Sequence, residues 1–220
     1  MRRLTARTTI GGSVAAVLLA TVMGCESPPP PAARPEGQFI VARGDRLYEG
    51  RQELRFLSFN VPNLHYIEDD LRFAQAMPFR WPNEFEVRDA VDSIRQMGGR
   101  VARIYALSVR KADDPDDMPR HVLGPGEFDG QAFETLDLVL DVARAKCVFL
   151  IVPLVDNWSW WGGVADYAAF RSRPRDAFWT DPQLIEDYKR TVRFVGGLAE
   201  GFETVIAYAL ICVLPDHADT

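Results

Sequence analysis

Cys147-Val148-Phe149-Leu150-Ile151-Val152-Pro153-Leu154-Val155, running directly into Asp156-Asn157-Trp158-Ser159-Trp160-Trp161-Gly162-Gly163, decides the fold. The first half is apolar, with no polar residue alternating into it. A strand of that kind has no face to give to water, which predicts a parallel strand buried on both sides. The second half is a loop of amide, carboxylate and indole groups at the strand's C-terminal end. Working backward, Asp129 opens a helix whose Phe133, Leu136, Leu140 and Ala143 share one face. A polar loop rich in Asp and Pro, residues 111–126, comes before it, and residues 100–107 read as an earlier strand. Asn83 stands ahead of Glu84-Phe85-Glu86 as an N-cap with an acidic residue three places on. Val87, Val91, Ile94 and Met97 continue as a helical stripe that Gly98-Gly99 stops.

Residues 54–60 alternate with period two and place Phe56, Ser58 and Asn60 on one side, as the first core strand. Phe39-Ile40-Val41 and Arg46-Leu47-Tyr48 flank Arg43-Gly44-Asp45 and predict a hairpin. Working forward, a long loop leads to Asp181-Pro182, where the aspartate caps a helix that opens on proline. Ile185, Tyr188, Val192 and Val195 form its predicted buried stripe. A hairpin followed by three strand–helix units implies an α/β class with a parallel sheet. An α/β domain of no further description is the plainer reading of the same pattern. Neither GxGxxG nor a P-loop follows the first strand, which argues against a nucleotide-binding fold.

The 220 residues are 47% hydrophobic and 25% charged, enough for one domain with a core. A net charge of −6 gives no footprint for nucleic acid. The basic cluster Arg2, Arg3 and Arg7 is followed by a short apolar run and then Val22-Met23-Gly24-Cys25. Residues 1–24 therefore read as a secretory signal peptide, and the site before Cys25 resembles a bacterial lipobox, with Met23 an unusual occupant. A plain signal peptide with an incidental cysteine gives the same layout. Acylated Cys25 would anchor an exported lipoprotein to a membrane, at the cell surface or in the periplasm. Residues 25–37, with Ser27-Pro28-Pro29-Pro30-Pro31 and Pro35, read as an extended spacer. Cys147 and Cys212 form no recognisable spacing.

In a β/α barrel the working residues sit at the C-terminal ends of the strands and in the loops that follow. Here those positions hold Asn60, Asn63, His65 and Tyr66 after the first strand, and Arg103 and Tyr105 on the second. The third leads to Asn157, Trp158, Trp160 and Trp161. Sugar rings offer apolar C–H faces to indoles, while amides and carboxylates take their hydroxyls, so this mixture suits a saccharide cleft. Trp160 or Trp161 plugging the barrel rim, and His65 serving only its loop, are the structural alternatives.

Four segments then occur in order: Phe56-Leu57-Ser58-Phe59-Asn60, Arg103-Ile104-Tyr105-Ala106-Leu107, Ile151-Val152-Pro153-Leu154-Val155-Asp156-Asn157-Trp158 and Phe178-Trp179-Thr180-Asp181-Pro182. With Gln96-Met97-Gly98-Gly99 and Trp161-Gly162-Gly163, they resemble the first part of glycoside hydrolase family five, in its endo-β-1,4-mannanase branch. The resemblance covers residues 38–195. It implies an eight-stranded barrel that hydrolyses β-1,4-mannan or a related β-glucan with retention, through two carboxyls roughly 5–5.5 Å apart. It implies no metal or organic cofactor. Of the family's active-site residues, the strand-two arginine corresponds to Arg103, whose implied role is to hold the nucleophile ionised. Asn60, His65, Tyr66, Tyr105, Asn157, Trp158, Trp160 and Trp161 line the substrate side by position.

The resemblance stops at Val195. In the family, strand four ends in Asn-Glu, which supplies the acid/base, and the nucleophile follows strand seven. Residues 196–220 instead read as a divergent tail. The apolar run Thr204-Val205-Ile206-Ala207-Tyr208-Ala209-Leu210-Ile211 either fills the strand-four slot, with Cys212-Val213 where Asn-Glu belongs, or is foreign sequence, the favoured reading. Both readings leave a barrel cut off before its catalytic carboxylates and inactive alone. A non-catalytic saccharide-binding lipoprotein and a non-functional remnant are the competing expectations.

Overall fold

The computed structural model describes residues 39–68, 79–197 and 205–209. The expected signal peptide and spacer, with Cys25, lie outside these residues, as does Cys212. Strands β1 (Ile40–Arg43), β2 (Arg46–Glu49) and β3 (Gln52–Glu53) form an antiparallel sheet. Its first turn passes through Gly44 at φ 62°, a conformation that costs glycine nothing. Next comes β4 (Ser58–Asn60) and a 3₁₀ turn at Pro62–Leu64. The short strands β5 (Ile67–Glu68) and β6 (Phe79–Arg80) pair antiparallel. Helix α1 (Glu84–Gln96) opens on the expected capping box: the Asn83 side chain accepts from the Glu86 N–H, and Glu86 accepts from the Asn83 N–H. Strand β7 (Val101–Arg103) leads to the hairpin β8 (Val122–Gly124) and β9 (Glu127–Phe128), then to helix α2 (Gly130–Ala145). After β10 (Phe149–Pro153) come α3 (Val164–Ala169), a 3₁₀ turn at Arg175–Trp179 and α4 (Pro182–Gly197), and β11 (Val205–Ala209) follows.

The parallel sheet runs in the order β11-β10-β7-β4. Of the two readings of the tail, residues 205–209 follow the first: they pair parallel with β10, in the position of a fourth barrel strand. Residues 210–220 lie outside the description.

Alternation along the strands separates two layers. Ala102, Leu150 and Val152 face outward and pack with Val87, Val91 and Ile94 of α1 and Phe133, Leu136, Val139 and Leu140 of α2. Val101 and Phe149 face inward and meet Leu54, with Ile40, Leu47 and Ile151 against them, so the N-terminal sheet closes the bottom of the inner face. Arg103 lies two residues beyond Val101 and Asn60 is its register partner, which puts both on the inner face above that plug. Gly99 is required where α1 returns to the sheet, because a Cβ there would sit 2.6 Å from the Phe59 ring.

The structure departs from the sequence reading in three places. The strands are shorter than the apolar runs that carry them. The polar loop of residues 111–126 ends in the first strand and turn of a hairpin that β9 completes, and the long loop before Asp181 contains α3. Of the expected α4 stripe, Ile185, Tyr188 and Val192 are only partly buried; the most buried positions are Leu184, Asp187, Thr191 and Val195, the last of them in that stripe. Two of these are polar because each has a partner: Arg171 Nε donates to Asp187 at 2.8 Å, and Thr191 shares a 2.7 Å hydrogen bond with the Tyr167 hydroxyl.

Candidate functional site

The strand ends bring a first group together directly. Arg103 Nη1 donates to Asn60 Oδ1 at 3.1 Å, across the β4–β7 register. Asp156 follows β10 and is buried; its Oδ1 accepts from the Trp158 N–H at 3.0 Å. Burial pushes its carboxyl above the ordinary range, against the Trp158 and Asn157 N–H groups and the Arg103 charge. A buried carboxyl with a perturbed pKa at a strand end is a candidate functional group.

The loop after β10 folds back on itself. The Val164 N–H donates to the Asp156 carbonyl, and Val109 N–H donates to the Trp161 carbonyl at 2.8 Å. This closure explains the glycine pair. A Cβ on Gly162, at φ 78°, would lie 1.9 Å from the Val109 oxygen, and one on Gly163 would lie 2.2 Å from the Asp156 oxygen. Backbone passes where no side chain fits. The result divides the tryptophans: Trp158 is 50% exposed, Trp160 is half-buried and Trp161 is buried. Asn157 is held from outside, its Oδ1 accepting from Arg175 Nη2 at 2.6 Å.

A second group lies beneath the first. Trp161 stacks on Tyr105 at 4.4 Å between ring centroids and meets Tyr66 edge-on at 4.3 Å. His65 and His121 are both fully buried, with their rings 5.2 Å apart. His121 Nδ1 accepts from the Ser108 N–H at 3.2 Å, so the neutral ring carries its proton on Nε2. Burial pushes His65 down to about 4, against an opposing contribution from the Ala106 backbone. Burial also holds His121 well below its ordinary value, aided by His65 and Arg120. The Tyr66 hydroxyl donates to the Pro119 carbonyl at 2.5 Å. Asp114 and Arg120 form a buried bidentate pair, at 2.8 and 2.7 Å, that ties down the loop after β7.

Asn60, Arg103, Asn157, Trp158 and Trp160 thus stand with solvent access at the strand ends, while Tyr105 is half-buried over Trp161. His65, Tyr66 and Trp161 form the packed floor beneath. His121, Ser108, the Asp114–Arg120 pair and Arg175 had no sequence signal: each lies in a segment without periodicity. Among the described residues, no cluster of His, Cys, Asp or Glu could hold a metal ion, and no helix is long and apolar enough to cross a membrane.

Comparison with known proteins places this arrangement. No family model matches the chain. It is 27% identical over 148 residues to mannan endo-1,4-β-mannosidase 3 of Solanum lycopersicum, a match over 61% of this chain and 35% of that one. Among solved structures, the hyperthermostable endo-1,4-β-D-mannanase of Thermotoga petrophila is 25% identical with a TM-score of 0.57, covering 73% of this chain and 46% of that one. A glycoside hydrolase family 5 mannosidase of Rhizomucor miehei superposes with a TM-score of 0.60 at 16% identity, covering 78% and 48%. The chain resembles the family five endo-β-1,4-mannanases, and it matches them over about a sixth to a half of their length.

Proposed function

We propose, from this resemblance, that the chain carries the substrate-binding side of a β-1,4-mannan hydrolase cleft. The single observation that supports it best is the Arg103–Asn60 pair on the inner face, at 3.1 Å, beside the indole-bearing loop after β10. Family five chemistry is retaining: one carboxyl attacks the anomeric carbon while another protonates the leaving oxygen, and water then reverses the roles. In that scheme Arg103 hydrogen-bonds the nucleophile and favours its ionised form, since a guanidinium within reach lowers a carboxyl's pKa. Asn60 aligns Arg103 for that contact. Asn157 and Trp158 take the hydroxyls and one C–H face of a sugar ring, with Trp160 beside them. His65, Tyr66 and Trp161 support Tyr105 from below. Neither carboxyl of the mechanism is assigned to a described residue, and the activity proposed for the described residues is polysaccharide binding without cleavage. Export and lipid attachment through Cys25 belong to the same proposal and would hold the cleft at a membrane surface.

Isothermal titration with β-1,4-mannohexaose and a reducing-sugar assay on mannan test the reading together. Saturable binding without sugar release is expected, with affinity weakened about tenfold, or ~1.4 kcal/mol, by Arg103→Ala. Absence of binding by the folded chain would overturn the cleft. Mannan hydrolysis that Arg103→Ala abolishes would overturn the catalytic part.

A further inference from the structure

We propose that the 3₁₀ turn Arg175–Trp179 adds a saccharide subsite beyond Trp158, with Trp179 as its stacking platform and Arg175 as the strut joining it to the cleft. This rests on the saccharide reading above and names the residues that extend it. Trp158 and Trp179 are the exposed tryptophans among the described residues, at 50% and 49%, and both belong to the connection between β10 and α4. The turn spends its neighbouring aromatic on anchorage. Phe178 is buried, 5.7 Å from Tyr167 and 5.5 Å from Tyr188 between ring centroids, which fixes the turn and leaves the next side chain on the surface.

Arg175 joins the two segments. Its Nη2 reaches the Asn157 side chain at 2.6 Å and the Asn157 carbonyl at 3.5 Å, one residue before Trp158. At a 3₁₀ rise of ~2 Å per residue, Arg175 and Trp179 lie about 8 Å apart along the turn, within reach of one oligosaccharide. Half-exposed indoles present flat apolar area, while the guanidinium and amide between them offer donors and an acceptor in fixed positions. Alternating apolar faces and hydroxyls are the chemistry of a neutral β-linked hexose chain. The ligand class is therefore a β-1,4-linked manno- or gluco-oligosaccharide long enough to pass from Asn157 over Trp179.

Quenching of tryptophan fluorescence by mannohexaose and by mannotriose separates the possibilities, using the full chain with Trp158→Ala, Trp179→Ala and Trp179→Phe variants. The expected result is that Trp179→Ala weakens mannohexaose about tenfold with little change for mannotriose, that Trp179→Phe keeps most of the affinity, and that Trp158→Ala weakens both. Because Trp179 is half exposed, circular dichroism of the variant should match the wild type. If Trp179→Ala binds mannohexaose as the wild type does while Trp158→Ala does not, the added subsite is refuted and the cleft stands. If the wild type binds neither sugar, the cleft and its extension fall together.

Discussion

His65 and His121 show how burial can make single residues control stability. Both rings are fully buried and neutral, packed beside Trp161, Tyr66 and the Arg120 guanidinium, whose charge Asp114 balances. His65 is held at about 4 against an ordinary 6.5. Its folded-state value is the lower one, so the unfolded chain takes up the proton first as the solution is acidified. The stability it secures is therefore complete above pH 6.5 and is lost as pH falls toward about 4. The loss for this one ring amounts to about 3 kcal/mol. Urea unfolding between neutral pH and the lower end of that window should show the decline, and His65→Gln, which cannot take the proton, should shallow it. A flat profile in the wild type would mean that the rings reach water or a partner.

At the scale of elements, the loop after β7 is fixed by the buried Asp114–Arg120 pair, and its hairpin carries His121 into the floor of the site. Removing one partner leaves the other charge buried, which costs on the order of 3 kcal/mol. Asp114→Ala should lower the unfolding midpoint accordingly, and adding Arg120→Met should recover part of the loss. Recovery distinguishes a stranded charge from a simple loss of packing. The sequence made some elements easy to see and hid others. The α1 capping box, the α2 stripe and the placing of Asn60 on one side of its strand were legible because each rests on local spacing, whereas Arg103 was singled out by the family resemblance. The β8–β9 hairpin was not, because its polar neighbours resemble a loop until Arg120 and Asp114 find each other. The polar part of the buried face of α4 was missed because hydrophobic periodicity cannot register that Arg171 satisfies Asp187 or that Tyr167 satisfies Thr191. Aromatic residues after a strand read the same whether they face the cleft or the floor. Only the closure of the loop over Gly162 and Gly163 separates Trp158 from Trp161.

At the scale of the molecule, four parallel strands in the order β11-β10-β7-β4 carry the helices outside and the polar residues at one end inside. The antiparallel sheet of β1, β2 and β3 packs against the opposite end of the inner face through Ile40 and Leu47. Residues 205–209, in the run that the sequence left open between a fourth strand and foreign sequence, add to the sheet beside β10. An apolar run alone could not decide that, since pairing depends on what the neighbouring strand leaves open. The most direct test is a crystal structure of this chain with β-1,4-mannotriose. A sugar ring against Trp158, with hydroxyls on Asn157 and near Arg103 and Asn60, is the expected result. A well-ordered chain whose strand ends hold no sugar at saturating mannotriose, or one that binds it on another face, would contradict a saccharide cleft at this end of the sheet.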